Sequence, residues 1–140
     1  MDIKELSIGD WVCYTGKCID GIGPNRKITY IERDTCGFLI GLDYGAFHYS
    51  SAKIEDIAPI PITPEILEEN GWMRVGENDY RTVWYRNNII ITFRPSTGAF
   101  IVERHQEGHP RLILVRLVIG YLHQLQRALL MCGEEIKIVL

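Results

Sequence analysis

Hydrophobic and polar positions alternate along this chain in two blocks separated by a proline-rich joint. In the first block, Trp11-Val12-Cys13-Tyr14 follows a Gly9-Asp10 turn signal. Ile28 and Tyr30 share one face of Lys27–Glu32, and Phe38–Leu42 and Phe47–Tyr49 are further short apolar runs. Thr15-Gly16-Lys17, Gly21–Asn25 and Asp34–Gly37 separate them as turns. Ser50-Ser51-Ala52 reads as a bend leading into a last strand over Ile54–Ile62. Short strands spaced by turns in this way predict a small, partly open β-barrel.

The joint is Ile60-Pro61-Ile62-Thr63-Pro64-Glu65-Ile66-Leu67. Thr63 is an N-cap residue, Pro64 fits the first helical position, and Glu65 complements the positive helix end. Asn70-Gly71 stops the helix after barely two turns. The chain therefore reads as two modules, residues 1–62 and 63–140, each needing the other's surface because sixty residues alone are marginal.

In the second block, Trp72–Val75 and Gly76–Asp79 read as a connector. Tyr80–Arg86 alternates with period two, Asn87-Asn88 suits the positive φ of a two-residue turn, and Ile89–Arg94 returns. Pro95-Ser96-Thr97-Gly98 turns again into Ala99–Arg104, predicting a three-stranded antiparallel meander. His105–Pro110 is a polar loop, and Leu112–Leu117 is open between a fourth strand and an early helical turn. Val118, Leu122, Leu125, Leu129 and Cys132 form a helical stripe, with His123, Gln124 and Arg127 opposite and Gly133 as cap. Ile136–Leu140 reads as an edge strand or a partner contact. The expected class is α+β: an SH3-like barrel, a short helix, a three- or four-stranded meander and a C-terminal amphipathic helix.

Composition adds little constraint: 46% hydrophobic and 24% charged residues are ordinary for a globular chain of 140 residues. The N-terminus has no secretion-signal pattern, and the greasiest stretch, Leu112–Leu122, is far too short to span a membrane, so a cytoplasmic protein is expected. Charge is more informative. The net −3 lies in residues 1–62, whereas residues 81–127 hold seven arginines, no lysine and two acids. Arginine without lysine favours planar, bidentate recognition of carboxylate or phosphate, although snorkelling over a sheet face explains the same pattern.

Candidate chemistry is sparse. Cys13, Cys18 and Cys36 with His48 lack tight Cys-x-x-Cys spacing, so the four cysteines read as reduced apolar residues and no metal or cofactor is expected. Gly21-x-Gly23 is not a dinucleotide fingerprint, because Arg26 stands where the third glycine belongs. His105 and His109 fit a solvated loop better than a metal site. Trp11, Tyr14, Tyr30, Tyr44, Phe47 and Tyr49 read as core before they read as a ligand platform.

Two resemblances follow from these motifs. Leu6-Ser7-Ile8-Gly9-Asp10-Trp11-Val12, closed by Ile54-Glu55-Asp56-Ile57, resembles the SH3-like barrels of bacterial accessory domains. Pro59-Ile60-Pro61-Ile62-Thr63 together with Tyr121-Leu122-His123-Gln124-Leu125-Gln126 resembles small uncharacterised proteins of gut-bacterial phages and mobile elements. The sequence departs from that family over Arg127–Cys132, where an aromatic-rich continuation is usual. The resemblance implies a phage-related setting in a bacterial cell or virion, and no assigned chemistry.

The leading expectation is a non-enzymatic interaction protein whose partner is another protein or a second copy. The alternative is nucleic-acid binding through Arg81, Arg86, Arg94 and Arg104, with Trp84, Tyr85 or Phe93 stacking bases. A third is an enzyme of unknown class, for which His123 with Gln124 is the polar pair to inspect; Arg127 completes the candidate residues.

Overall fold

In a computed structural model the chain divides into two compact units, Met1–Ile60 and Pro61–Leu140. The structure describes residues 1–16, 23–35, 37–43, 49–135 and 137–140, with Asp34, Tyr49 and Ser50 described for their backbone. The class is α+β, with two five-stranded antiparallel sheets and two α-helices among the described residues.

The first unit holds β1 (Trp11–Tyr14), β2 (Asn25–Asp34), β3 (Gly37–Asp43), β4 (Tyr49–Lys53) and β5 (Ile57–Ala58), in the order β4-β3-β2-β1-β5. Alternation along these strands delivers Val12, Ile28, Ile40, Leu42, Ala52 and Ile57 to one buried cluster with Leu6. Two sequence expectations change here. Ser50–Ala52 is not a bend but part of β4, paired with Ile40, Gly41 and Leu42 of β3. The strand expected over Ile54–Ile62 begins instead as a single 3-10 turn, Ile54–Asp56, and pairs with β1 through Ile57 and Ala58 alone. The expected strand around Phe47-His48 lies outside the described residues.

The second unit carries α1 (Pro64–Glu69), then β6 (Met73–Glu77), β7 (Thr82–Arg86), β8 (Ile89–Arg94), β9 (Ala99–Gln106) and β10 (His109–Ile119), and finally α2 (Leu122–Met131). Its sheet runs β10-β9-β8-β7-β6, each neighbour antiparallel. The stretch expected to be a connector forms β6. Its five exposed residues and the register shift between Arg74 and Gly76 erase any period-two signal. The expected loop at 105–110 is a hairpin tip, with Gly108 at φ 74° and strand on both sides. Leu112–Leu117 is strand, and Val118 belongs to it rather than to the helix.

Both helices are capped by a side-chain oxygen at the start, from opposite sides of the cap, and are left in the same way. Thr63 Oγ1 accepts from the Ile66 amide at 3.2 Å, and Gln124 Oε1 accepts from the Gly120 and Tyr121 amides at 2.9 and 3.2 Å. The two entry segments lie side by side: Pro61 bridges Tyr121, and the Ile62 amide donates to the Gly120 carbonyl. Each helix then ends in a Schellman turn. Gly71 and Trp72 donate to Glu68 and Leu67, as Gly133 and Glu134 donate to Leu130 and Leu129. The left-handed residue is glycine both times, Gly71 at φ 85° and Gly133 at φ 75°.

Candidate functional site

The second sheet has two unlike faces, set by strand alternation. One carries Trp84, Ile89, Ile91, Phe100, Val102 and Ile119, all buried, with α1 packed against β6 and α2 against β10. The other carries Val83, Tyr85, Ile90, Thr92, Arg94, Ile101 and Val118; of these, Thr92 and Ile101 are buried and Tyr85, Arg94 and Val118 are exposed.

Arg86 and Arg104 lie on the helix-covered face, in one cross-strand row through Ile89. Arg86 donates to the main-chain carbonyl of Asn70, the C-cap residue of α1. Arg104 donates to the carbonyl of Cys132, the C-cap residue of α2, and pairs with Glu134 at 3.3 Å. A cation at a helix C-terminus complements both the dipole and an orphan carbonyl. Gly71 leaves room for this, since a Cβ there would lie a tight 3.2 Å from Arg86 Nη1; at Gly133 a Cβ would meet Arg104 Nη1 at an ordinary 3.8 Å, and the glycine serves the left-handed φ. These two arginines of the expected nucleic-acid clamp are therefore engaged in holding helix ends.

Trp84 is fully buried, with its indole N–H donating to Glu68 Oε1 at 3.2 Å. Arg74 lies over the ring at 5.7 Å and donates to the same carboxylate, and to Glu77 at 3.0 Å. The Trp84 and Arg74 hydrogen bonds hold the Glu68 carboxyl below the ordinary glutamate range, and those from Glu68 and Glu77 raise Arg74. Trp84 thus offers no stacking surface. Phe93 packs on Phe100 at 4.7 Å, and Tyr85 is the exposed member of the three.

His123 is buried rather than on the solvent face of α2. Its ring lies parallel to that of Tyr121 at 6.1 Å, in the first turn, at a position the helical stripe leaves outside. Gln124 is occupied with the two amides at the helix start, so this pair is part of the helix entrance. Arg127 is half-buried. Burial pushes the Cys132 thiol up; the Arg104 charge opposes this and Glu134 adds to it.

Two surface features remain. At the β9–β10 tip a shallow recess of about 490 Å³ is lined by His109, Pro110, Arg111 and Leu112, and the His105 ring contacts the Pro110 carbonyl through Nδ1. At the far end of β7 and β8 a recess of about 270 Å³ is lined by Asp79, Tyr80, Arg81, Arg94 and Ser96. Sequence reasoning missed Asp79, Tyr80 and Ser96, although the Asn78 and Pro95–Gly98 turn signals on either side of the strand pair mark the place.

No three His, Cys, Asp or Glu side chains converge as metal ligands among the described residues. Cys18, Cys36 and His48 lie outside them. Among the described residues no helix is long and apolar enough to cross a membrane. The chain matches no protein-family model, no curated protein and no solved structure.

Proposed function

We propose that this is a non-enzymatic interaction protein that takes up an extended segment of a protein partner along β10. One observation carries the reading. This edge strand, eleven residues long, exposes Leu112 (50%), Ile113 (44%), Leu114 (54%) and Val118 (70%). Long apolar edges are ordinarily blunted, because their unpaired main-chain groups recruit other strands. β10 is blunted by Pro110, by Arg111 and Arg116 and by register shifts on either side of Ile113, yet its apolar run Leu112–Leu114 stays exposed.

The strand's charges point to a foreign partner. Arg111 and Arg116 are its charged residues, with no carboxylate. Antiparallel self-pairing about Leu114 would set Arg111 against Leu117 and Arg116 against Leu112, with nothing to neutralise either. An acidic, apolar strand fits better, by the β-augmentation mode of recognition. The phage or mobile-element setting rests on the two segments of the sequence resemblance, which are neighbours here through Pro61 and Tyr121. The antiparallel order β4-β3-β2-β1-β5 supports the SH3-like reading of residues 1–62.

The test is capture of a partner from source-cell lysate by the wild type and by a Leu112→Lys, Leu114→Lys double variant, both checked for fold by circular dichroism. The reading requires a partner lost by the variant and protecting the β10 amides from hydrogen exchange. A partner retained equally by both proteins overturns it.

A further inference from the structure

Arg81 and Arg94 stand at facing positions. Continuing the Thr82–Phe93 register by one step sets them opposite one another, and both line the 270 Å³ recess. Like charges directly across two strands destabilise a sheet. The usual remedy is an interleaved carboxylate, and neither arginine has an ion pair among the described residues.

Their backbones are nevertheless fixed. Asn78 Oδ1 accepts from the Tyr80 and Arg81 amides at 2.9 and 3.0 Å, and the Asn78 amide donates to the Arg81 carbonyl at 2.9 Å. Across the pair, the Arg94 carbonyl accepts from Thr97 and Gly98 at 3.2 and 2.9 Å. Two turns thus hold two uncompensated guanidiniums beside one small recess. The Ser96 hydroxyl and the Tyr80 phenol, on an 83% exposed ring, are further polar groups there.

We infer that this recess binds a small organic phosphate, with the phosphate between Arg81 and Arg94 and ligand hydroxyls donating to Asp79. Two planar guanidinium forks match the geometry of a phosphate better than any other common anion except a carboxylate. The phosphate dianion neutralises both charges at once, which one carboxylate does not. Asp79 on the rim disfavours a bare oxyanion and favours a ligand that brings its own donors. The volume lies just under that of drug-sized sites, which suits a sugar phosphate. The inference is independent of the β10 reading, since it uses other strands.

The experiment is titration calorimetry of the full chain with inorganic phosphate, ribose 5-phosphate, and an oligothymidylate lacking terminal phosphates. Ribose 5-phosphate is expected to saturate one site and to bind more tightly than inorganic phosphate. Loss of one charge-assisted fork in Arg81→Gln or Arg94→Gln should weaken it by about tenfold or more. Asp79→Asn should remove the preference over inorganic phosphate. Arg116→Gln, an exposed arginine on β10, should change nothing. No saturable binding of ribose 5-phosphate, or binding insensitive to both Arg81→Gln and Arg94→Gln, overturns the proposal. Tighter binding of the oligonucleotide that also depends on Arg116 would overturn it in favour of a nucleic-acid surface.

Discussion

The side-chain amide of Asn70 clasps the main chain of Val139 as a β-strand neighbour would. Its Oδ1 accepts from the Val139 amide at 2.7 Å, and its Nδ2 donates to the Val139 carbonyl at 2.9 Å. Nδ2 also donates to the Ile66 carbonyl at 2.8 Å, which fixes the orientation of the amide. Next to this clasp Ile138 is buried, so one C-cap residue anchors the C-terminal tail.

Replacing Asn70 with Ala should destabilise the second unit by about 2 kcal/mol, because three hydrogen bonds to a buried side chain are lost at once. Asn70→Asp should cost more, since a carboxylate would face the Ile66 and Val139 carbonyls. Urea unfolding measures both. Amide exchange at Val139 should accelerate in each variant, and unchanged exchange there would rule out the clasp.

The two helix-end arginines should behave alike. Arg86→Ala and Arg104→Ala are each expected to lower stability by about 1–2 kcal/mol, the range for a cation at a partly buried helix C-terminus. They share no partner, so the double variant should approach the sum. Lysine at either position should restore part of the loss, since it keeps the charge without the fork.

Glu68 predicts a pH response. Its folded-state carboxyl titrates lower than in the unfolded chain, so its contribution is present above about pH 4.3, the ordinary glutamate value, and fades as pH falls through the lower folded value. Protonation weakens acceptance from the Trp84 indole. The tryptophan emission of the wild type should therefore change with acid in a step that Glu68→Gln lacks.

Cys132 should react slowly with a thiol reagent at pH 8. It is 4% exposed, and its raised pKa leaves little thiolate. Comparison of modification traces for the wild type and Cys132→Ala should show one slow thiol missing in the variant, and that thiol should become fast in denaturant.

Much of the second unit was legible because its signals are local. Thr63-Pro64 and Asn70-Gly71 bracket α1, and Asn87 and Asn88 take the positive φ of 49° and 61° expected of a tight hairpin. What escaped depends on distant partners. β6 is a strand because β7 pairs with it, not because Met73–Glu77 alternates. His123 is buried at a position that the helical stripe leaves outside, with its ring parallel to that of Tyr121. The arginines read as a basic surface because their acceptors lie 16 and 28 residues away in sequence. The recess was illegible for the same reason: Asp79 and Ser96 meet only once β7 and β8 are paired.

The row Arg86–Ile89–Arg104 has a consequence for how the meander finds its pairing. A one-residue slip turns every side chain of a strand to the opposite face. A slipped β7 would carry Arg86 away from α1, and a slipped β9 would carry Arg104 away from α2, leaving a helix carbonyl without its donor in each case. The two helices thus act as proofreaders of strand alignment, each testing a different strand against the same central β8.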